Sequence, residues 1–272
     1  MPRDRNDDHN WKIPVSWLKD TSEEVLFPAF NRSLLFDKYT LWAFDGRNIN
    51  LGEKKRKYHN LQNMLSIKCP LSKSDYCFLK NRRKSVSDAV IFKLRTKTRL
   101  LVNHGGESVL ESNIALHPFY GFPIIYGSAI KGVTRHYCED NNKPDILKIF
   151  GSKPETETEE AQAGCIVFVD AWPDDYNDLN AFEMDVLTPH YKDYYESNGK
   201  KYPKDNIQPL PHQFLAVKKG ITFEFLIYPS PILKNNEKDR ILNLTKDYII
   251  QALCTIGIGA KTGSSYGYFK QV

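Results

Sequence analysis

The chain lacks most of the features that would assign it quickly to a chemistry. Its 272 residues hold five scattered cysteines, Cys69, Cys77, Cys138, Cys165 and Cys254, with no C-x-x-C pair among them. Structural zinc sites need closely spaced Cys/His pairs, so neither a metal nor another cofactor is expected. No apolar run approaches the roughly eighteen residues of a membrane helix, and no signal peptide is evident. A cytoplasmic protein with reduced thiols and no membrane partner is therefore expected. Charge of one sign is also scarce: 38 Lys+Arg against 33 Asp+Glu leave only +5. Any anion binding must then come from a local patch and not from the overall field. What is present is a 41% hydrophobic, aromatic-rich chain, ample for one elaborated domain or two small ones.

Glycine concentrates near the C-terminus. Gly257-Ile258-Gly259-Ala260-Lys261-Thr262-Gly263-Ser264-Ser265-Tyr266-Gly267-Tyr268-Phe269 follows directly on an apolar helical pattern. Glycine admits positive φ and lets backbone N–H groups approach a partner closely. Successive N–H groups in such turns form a concave anion site. Lys261 supplies a counter-charge, and Tyr266 and Tyr268 offer faces on which bases stack. A P-loop needs glycine directly before the lysine and a helix after it. Here Ala260 precedes Lys261 and the residues that follow read as a strand, so nucleotide hydrolysis is disfavoured. The alternative of a flexible Gly/Ser tail leaves the closing aromatics unexplained. Holding a phosphate backbone fits best, with Gly257, Gly259, Lys261, Thr262 and Tyr266 as the contacting residues.

Residues 1–89 read as a helical N-terminal elaboration. Val25, Leu26, Phe30, Leu34, Leu35, Tyr39 and Trp42 recur at helical spacing, and Tyr58, Leu61, Met64 and Leu65 form a second pattern. The basic runs Lys54–Lys57 and Asn81–Lys84 are either solvated surface or a nucleic-acid or subunit contact.

From Val90 to Val102 the period changes to two. Lys93, Arg95, Lys97 and Arg99 share one face, roughly 7 Å apart, close to the spacing of successive phosphates. They serve equally well as solvated or edge-protecting charges. His104 in the following turn is a candidate general base near RNA; a hydrogen-bonding or structural role is the competing reading. Further on, Ser128 suits the N-cap of a helix starting at Ala129. Ile130, Val133 and Tyr137 would face the core, with Lys131 and Arg135 on the opposite stripe. Free N–H groups at that helix start, with Lys131 one turn in, make a second anion site. Gly132 inside the helix implies close approach of another backbone.

Asn142 to Phe150 continues helical, Gly151 to Ala163 is an acidic loop, and Cys165–Val169 is a short buried strand ending at Asp170. Trp172 to Asn206 reads as a polar-aromatic insertion contacting RNA or a subunit; nothing in its spacing fixes Asp185 and His190 together as an acid/base pair. Phe214–Val217 and Ile221–Tyr228 read as a hairpin across Lys218-Lys219-Gly220. Asn236 can cap a helix whose stripe Ile241, Leu244, Tyr248, Ile249, Ala252, Leu253 and Ile256 is stopped by Gly257. Tyr266–Val272 supplies a last strand. The expected class is α+β, a ferredoxin-like (RRM-like) domain over residues 90–272 with large insertions, one of them 172–206.

Several of these stretches together carry a resemblance. They are Glu107-Ser108-Val109-Leu110-Glu111, Leu116–Gly121, Gly127-Ser128-Ala129-Ile130-Lys131-Gly132, Asp185–Tyr191 with Tyr194-Tyr195, and Gly257–Thr262. In this order the chain resembles the RAMP superfamily of CRISPR proteins, and within it the sixth-subunit family of Cmr-type (type III-B) effector complexes. The likeness covers roughly residues 90–272. It implies a non-catalytic antiviral-defence subunit that caps one end of the filament of RAMP backbone subunits and holds the 3′ region of the guide (cr)RNA, to which target RNA pairs. A small helical subunit and a large polymerase-like subunit are the further implied partners. Target cleavage in such complexes belongs to a backbone subunit's loop aspartate, which matches no position here. A metal-independent RAMP endoribonuclease, with His104 as base, is the alternative.

Overall fold

The structure is a computed structural model that describes residues 32–33, 61–62, 64–106, 112–152, 161–188, 200, 202 and 211–272. Along the chain run α1 (Lys73–Lys84), β1 (Val90–Thr96), α2 (Gly127–Asp140), α3 (Ile146–Phe150), β2 (Ile166–Phe168) and β3 (Trp172–Pro173). There follow β4 (Phe182–Leu187), β5 (His212–Val217), β6 (Thr222–Pro229), α4 (Lys238–Thr255) and β7 (Phe269–Gln271).

The alternation in β1 buries Phe92, Leu94 and Thr96 and exposes Lys93 and Arg95. The strand lies inside an antiparallel sheet of order β2-β6-β1-β7, with β3 on the same side of β6 as β2. Arg95 faces Thr222 on β6 and Lys270 on β7. One face of this sheet is covered by α4, whose Ile241, Leu242, Tyr248, Ile249, Ala252 and Leu253 are buried. Each of the Ile and Leu side chains is worth about 1.5–3 kcal/mol of transfer free energy. Beneath it Phe92 stacks on Phe225 at 5.4 Å and Phe269 meets Phe225 edge-on at 5.9 Å.

The opposite face carries Glu224, which is 1% exposed. A carboxylate buried this deeply must be paired, and α1 supplies the partners: Lys84 at 2.7 Å and Lys80 at 3.3 Å, with Lys80 also 2.7 Å from Asp174. Arg83 of the same helix lies 3.8 Å over the Trp172 ring and donates to the Asp170 carbonyl. Of the basic run 81–84, Arg83 and Lys84 therefore turn inward to the protein. Helical residues 61–62 and 64–66 contribute Leu61 and Met64 to the main hydrophobic core. Arg32, 1% exposed, donates to the carbonyls of Met64, Gly121 and Ile67 and to Asn180, and burial lowers its pKa to about 10. Apart from Arg32 and Ser33, the Val25–Trp42 helical pattern, and Lys54–Lys57, lie outside the described residues.

Several expectations need correction. β1 ends at Thr96 and not at Val102; beyond it Leu100 bridges to Val217, a residue of the other sheet. The 214–228 hairpin does not form. β5 pairs with β4 in a separate two-stranded ribbon, Phe182 opposite Val217 and Leu187 opposite His212, and the 218–220 turn carries the chain from one sheet to the other. Within the 172–206 insertion, residues 172–187 form β3, a 3₁₀ turn and β4. Asn236 sits in a 3₁₀ turn and caps nothing; α4 begins at Lys238 without a side-chain cap. Within 142–150 only Ile146–Phe150 is helical, and the last strand is Phe269–Gln271. All five cysteines are free thiols. Among the described residues, no helix is long and apolar enough to cross a membrane.

Candidate nucleic-acid interface

The glycine-rich loop joins α4 to β7, and its glycines answer particular steric demands. Gly257 ends α4 at φ +74°, its N–H reaching back to the Ala252 carbonyl at 3.2 Å. Gly259 (φ +94°) lies so close to Leu101 that a Cβ would fall on the Leu101 carbonyl oxygen. Gly267 (φ +77°) is pressed in the same way against the Ile258 carbonyl. The loop is thus laced at both ends. Ala260 N–H donates to Leu101 at 2.7 Å, Gly267 N–H to Arg99 at 2.7 Å, and Ile258 N–H to Gly267 at 2.9 Å.

At its tip the backbone reverses hand. Lys261 is left-handed (φ 60°, ψ 33°), Thr262–Ser264 is a 3₁₀ turn, and Ser265 is left-handed again. A left-handed residue followed by right-handed ones aims consecutive N–H groups into one concavity. The N–H groups of Lys261, Thr262 and Gly263 take no partner among the described residues, and Lys261 and Gly263 are exposed. Chemically, that is a place for a phosphate or carboxylate oxygen.

Tyr266 has a different role from the expected stacking face. It is 9% exposed, with its ring packed beside Phe214, Leu101 and Ala216. Its hydroxyl donates to Asp185 Oδ2 at 2.6 Å. Burial first, and that bond second, push the phenol up to about 12. Arg99 is engaged as well: one guanidinium nitrogen pairs with Glu183 and another lies 3.1 Å from Asp185. Its charge is balanced by two carboxylates.

The second expected anion site is occupied in part by the protein itself. α2 begins at Gly127, so Ser128 lies inside the helix and is no cap. Asp170, at the end of the β2 segment, accepts the Gly127 N–H at 2.7 Å. A carboxylate therefore occupies the positive end of the helix dipole. A phosphate placed about 5 Å away would meet repulsion on the order of 3 kcal/mol at an effective dielectric of 20. The close backbone approach expected of Gly132 occurs instead at Gly127, where a Cβ would strike the Phe168 carbonyl; Gly132 faces open space. Arg135 pairs with Glu139 at 2.9 Å, whereas half-buried Lys131 has no ion pair among the described residues. Nor are the two places adjacent. The loop rests on residues 99–101 beside β7, and the start of α2 rests on β2, the opposite sheet edge. Three strand spacings separate these edges, roughly 14 Å.

His104 packs edge-on to Phe214 at 4.9 Å, with His212 at 6.5 Å. Sequence reasoning placed no second histidine near it; the antiparallel bridge between Leu100 and Val217 runs residues 100–104 alongside β5 and brings one. His190 and Tyr191 lie outside the described residues, and Asp185 is committed to Arg99 and Tyr266. Among the described residues no group of three or more His, Cys, Asp or Glu could hold a metal ion. The sequence signals that could have exposed the Asp170 cap and the Asp185 anchor were slight. Each is an acid in or just after a β-segment, where a charge calls for a partner.

Comparison with known proteins agrees with this architecture. Residues 93–270 match the RAMP superfamily, and the chain belongs to that superfamily. Its particular likeness is to Cmr6 proteins. It is 31% identical over 235 residues to the CRISPR system Cmr subunit Cmr6 of Pyrococcus furiosus, covering 66% of this chain and 67% of that one. It is 29% identical over 229 residues to the Cmr6 subunit of Saccharolobus solfataricus, covering 82% and 67% respectively. Among solved structures, a chain of the type III-B Cmr-beta complex bound to cognate target RNA superposes with a TM-score of 0.63 at 25% identity, covering 85% of this chain and 78% of that one.

Proposed function

We propose that this chain is a non-catalytic, guide-RNA-binding subunit of a type III-B Cmr effector complex, seated at one end of the RAMP filament on the 3′ region of the crRNA. The observation that carries this reading is the reversal at Lys261–Gly263, where N–H groups without a partner among the described residues converge beside an exposed lysine. The strand order β2-β6-β1-β7 with α2 and α4 as connections supports a ferredoxin-like domain, residues 1–89 being an elaboration upon it. Guide and target RNA, neighbouring RAMP subunits, the small helical subunit and the large polymerase-like subunit are the proposed partners.

In this reading Gly257 and Gly259 shape the loop, Lys261, Thr262 and Gly263 hold the phosphate, and Lys131 is a peripheral cation. Binding is sequence-independent and salt-sensitive. For single-stranded RNA the log–log salt slope changes by about 0.7 per phosphate contact, so Lys261→Ala should weaken binding and flatten the slope by about that amount, with a smaller effect from Lys131→Ala. Unchanged affinity and slope in the double variant would refute the assignment.

The proximity of His104 to His212 keeps the endoribonuclease reading in view. Incubation with precursor RNA in EDTA separates the two: specific cuts lost in His104→Ala favour the enzyme, and binding without cutting favours the subunit.

A further inference from the structure

Two carboxylates, Glu183 and Asp185, stand directly behind a loop read here as a phosphate cradle. Acidic groups weaken anion binding through space, so their presence calls for a compensating role. The contacts supply one. Asp185 Oδ2 accepts the Tyr266 hydroxyl at 2.6 Å and lies 3.1 Å from the Arg99 guanidinium. Tyr266 is the residue after left-handed Ser265, and its own N–H returns to the Lys261 carbonyl at 3.3 Å. Arg99 grips from the other side, its carbonyl accepting the Gly267 N–H at 2.7 Å. An unbroken path therefore runs from the β4–β5 ribbon through the phenol ring to the peptide whose orientation sets the reversal.

We infer that Asp185 is a positioning residue for the Lys261–Gly263 cradle, acting through Tyr266 and braced by Arg99. This rests on the cradle reading above. Tyr266 then serves RNA binding from inside the protein, as the anchor of the loop, and the β4–β5 ribbon is the frame against which the cradle is set.

Simple electrostatics and positioning predict opposite signs for Asp185→Asn. Removing a negative charge near a phosphate should tighten binding if charge alone matters. Positioning predicts weakening by roughly fivefold to tenfold, the equivalent of about one hydrogen bond. Fluorescence anisotropy with a single-stranded RNA, titrated across salt, reads both affinity and slope. Asp185→Asn and Tyr266→Phe are expected to weaken binding similarly at unchanged slope, and the double variant to be no worse than either single one. In the Asp185→Asn background, Lys261→Ala should cost less than in the native protein, a coupling that a remote loss of stability would not produce. Amide exchange at Ser264 and Tyr266, whose N–H groups both return to the Lys261 carbonyl, should quicken in both variants; Tyr266→Phe keeps the buried ring, so the comparison survives if Asp185→Asn folds poorly. Tighter or unchanged binding in Asp185→Asn, with Lys261→Ala still weakening it, overturns positioning alone. No effect of Lys261→Ala in the native protein overturns the cradle, and the positioning role with it.

Discussion

Removing one oxygen, in Tyr266→Phe, tests how firmly the loop is held. The phenol donates to a carboxylate at 2.6 Å, and hydrogen bonds to charged groups contribute about 1.5–3 kcal/mol. Phenylalanine preserves the contacts with Phe214 and Leu101, and Asp185 keeps Arg99 at 3.1 Å, so no buried charge is stranded. The loss should fall at the low end, about 1.5 kcal/mol, a fall in Tm of roughly 3–6 °C for a chain of this size. The pH dependence follows from the phenol being pushed up to about 12, chiefly by burial. An unfolded tyrosine ionises near pH 10. The folded pKa is the higher, so the stabilisation is complete below about pH 10 and is lost as pH rises towards 12. Urea melts of both proteins at pH 8, 10 and 11 should show a gap that narrows with pH. Equal midpoints at pH 8, or a gap that widens with pH, would refute the argument.

Other outcomes follow from neighbouring features. His117, half-buried among Phe122, Tyr120 and Trp172, is held neutral down to about pH 4, by burial first and by Arg83 second. Its folded pKa is depressed, so its stabilising contribution is present above about pH 6.5 and is lost as pH falls towards 4; acid unfolding should be shallower in His117→Gln over that window. Gly132→Ala and Gly259→Ala should move thermal stability in opposite directions. The first fills open space in a helix and should add about 0.5–1 kcal/mol. The second drives a methyl group into the Leu101 carbonyl at φ +94° and should remove about 3 kcal/mol or more. Asp170→Ala should cost about 1 kcal/mol in melts, through loss of the α2 cap.

What the sequence determined by itself is what local physics encodes. The period of two at Phe92, Leu94 and Thr96 specified β1, because alternate residues of a strand face opposite sides. The 3.6-residue stripe from Ile241 to Leu253 specified α4. Gly257 had to stop that helix, since few other residues take its φ without strain. The motif stretches were enough to mark the superfamily. What only the tertiary structure decided are partnerships between distant residues. Apolar runs at 214–217 and 221–228 fit a hairpin equally well until Leu100 bridges Val217 and Phe182–Leu187 offers β5 another edge. Ser128 resembles a cap until Asp170, 43 residues on in sequence, takes the Gly127 N–H first. Arg99 resembles a phosphate ligand until Glu183 and Asp185 fold against it. Tyr266 resembles a stacking platform until Phe214 covers its ring and Asp185, 81 residues away, receives its hydroxyl. Periodicity and backbone conformation are properties of a few consecutive residues. Whether a polar group faces solvent, a ligand or another side chain depends on which buried partners reach it first, and a linear chain does not carry that order.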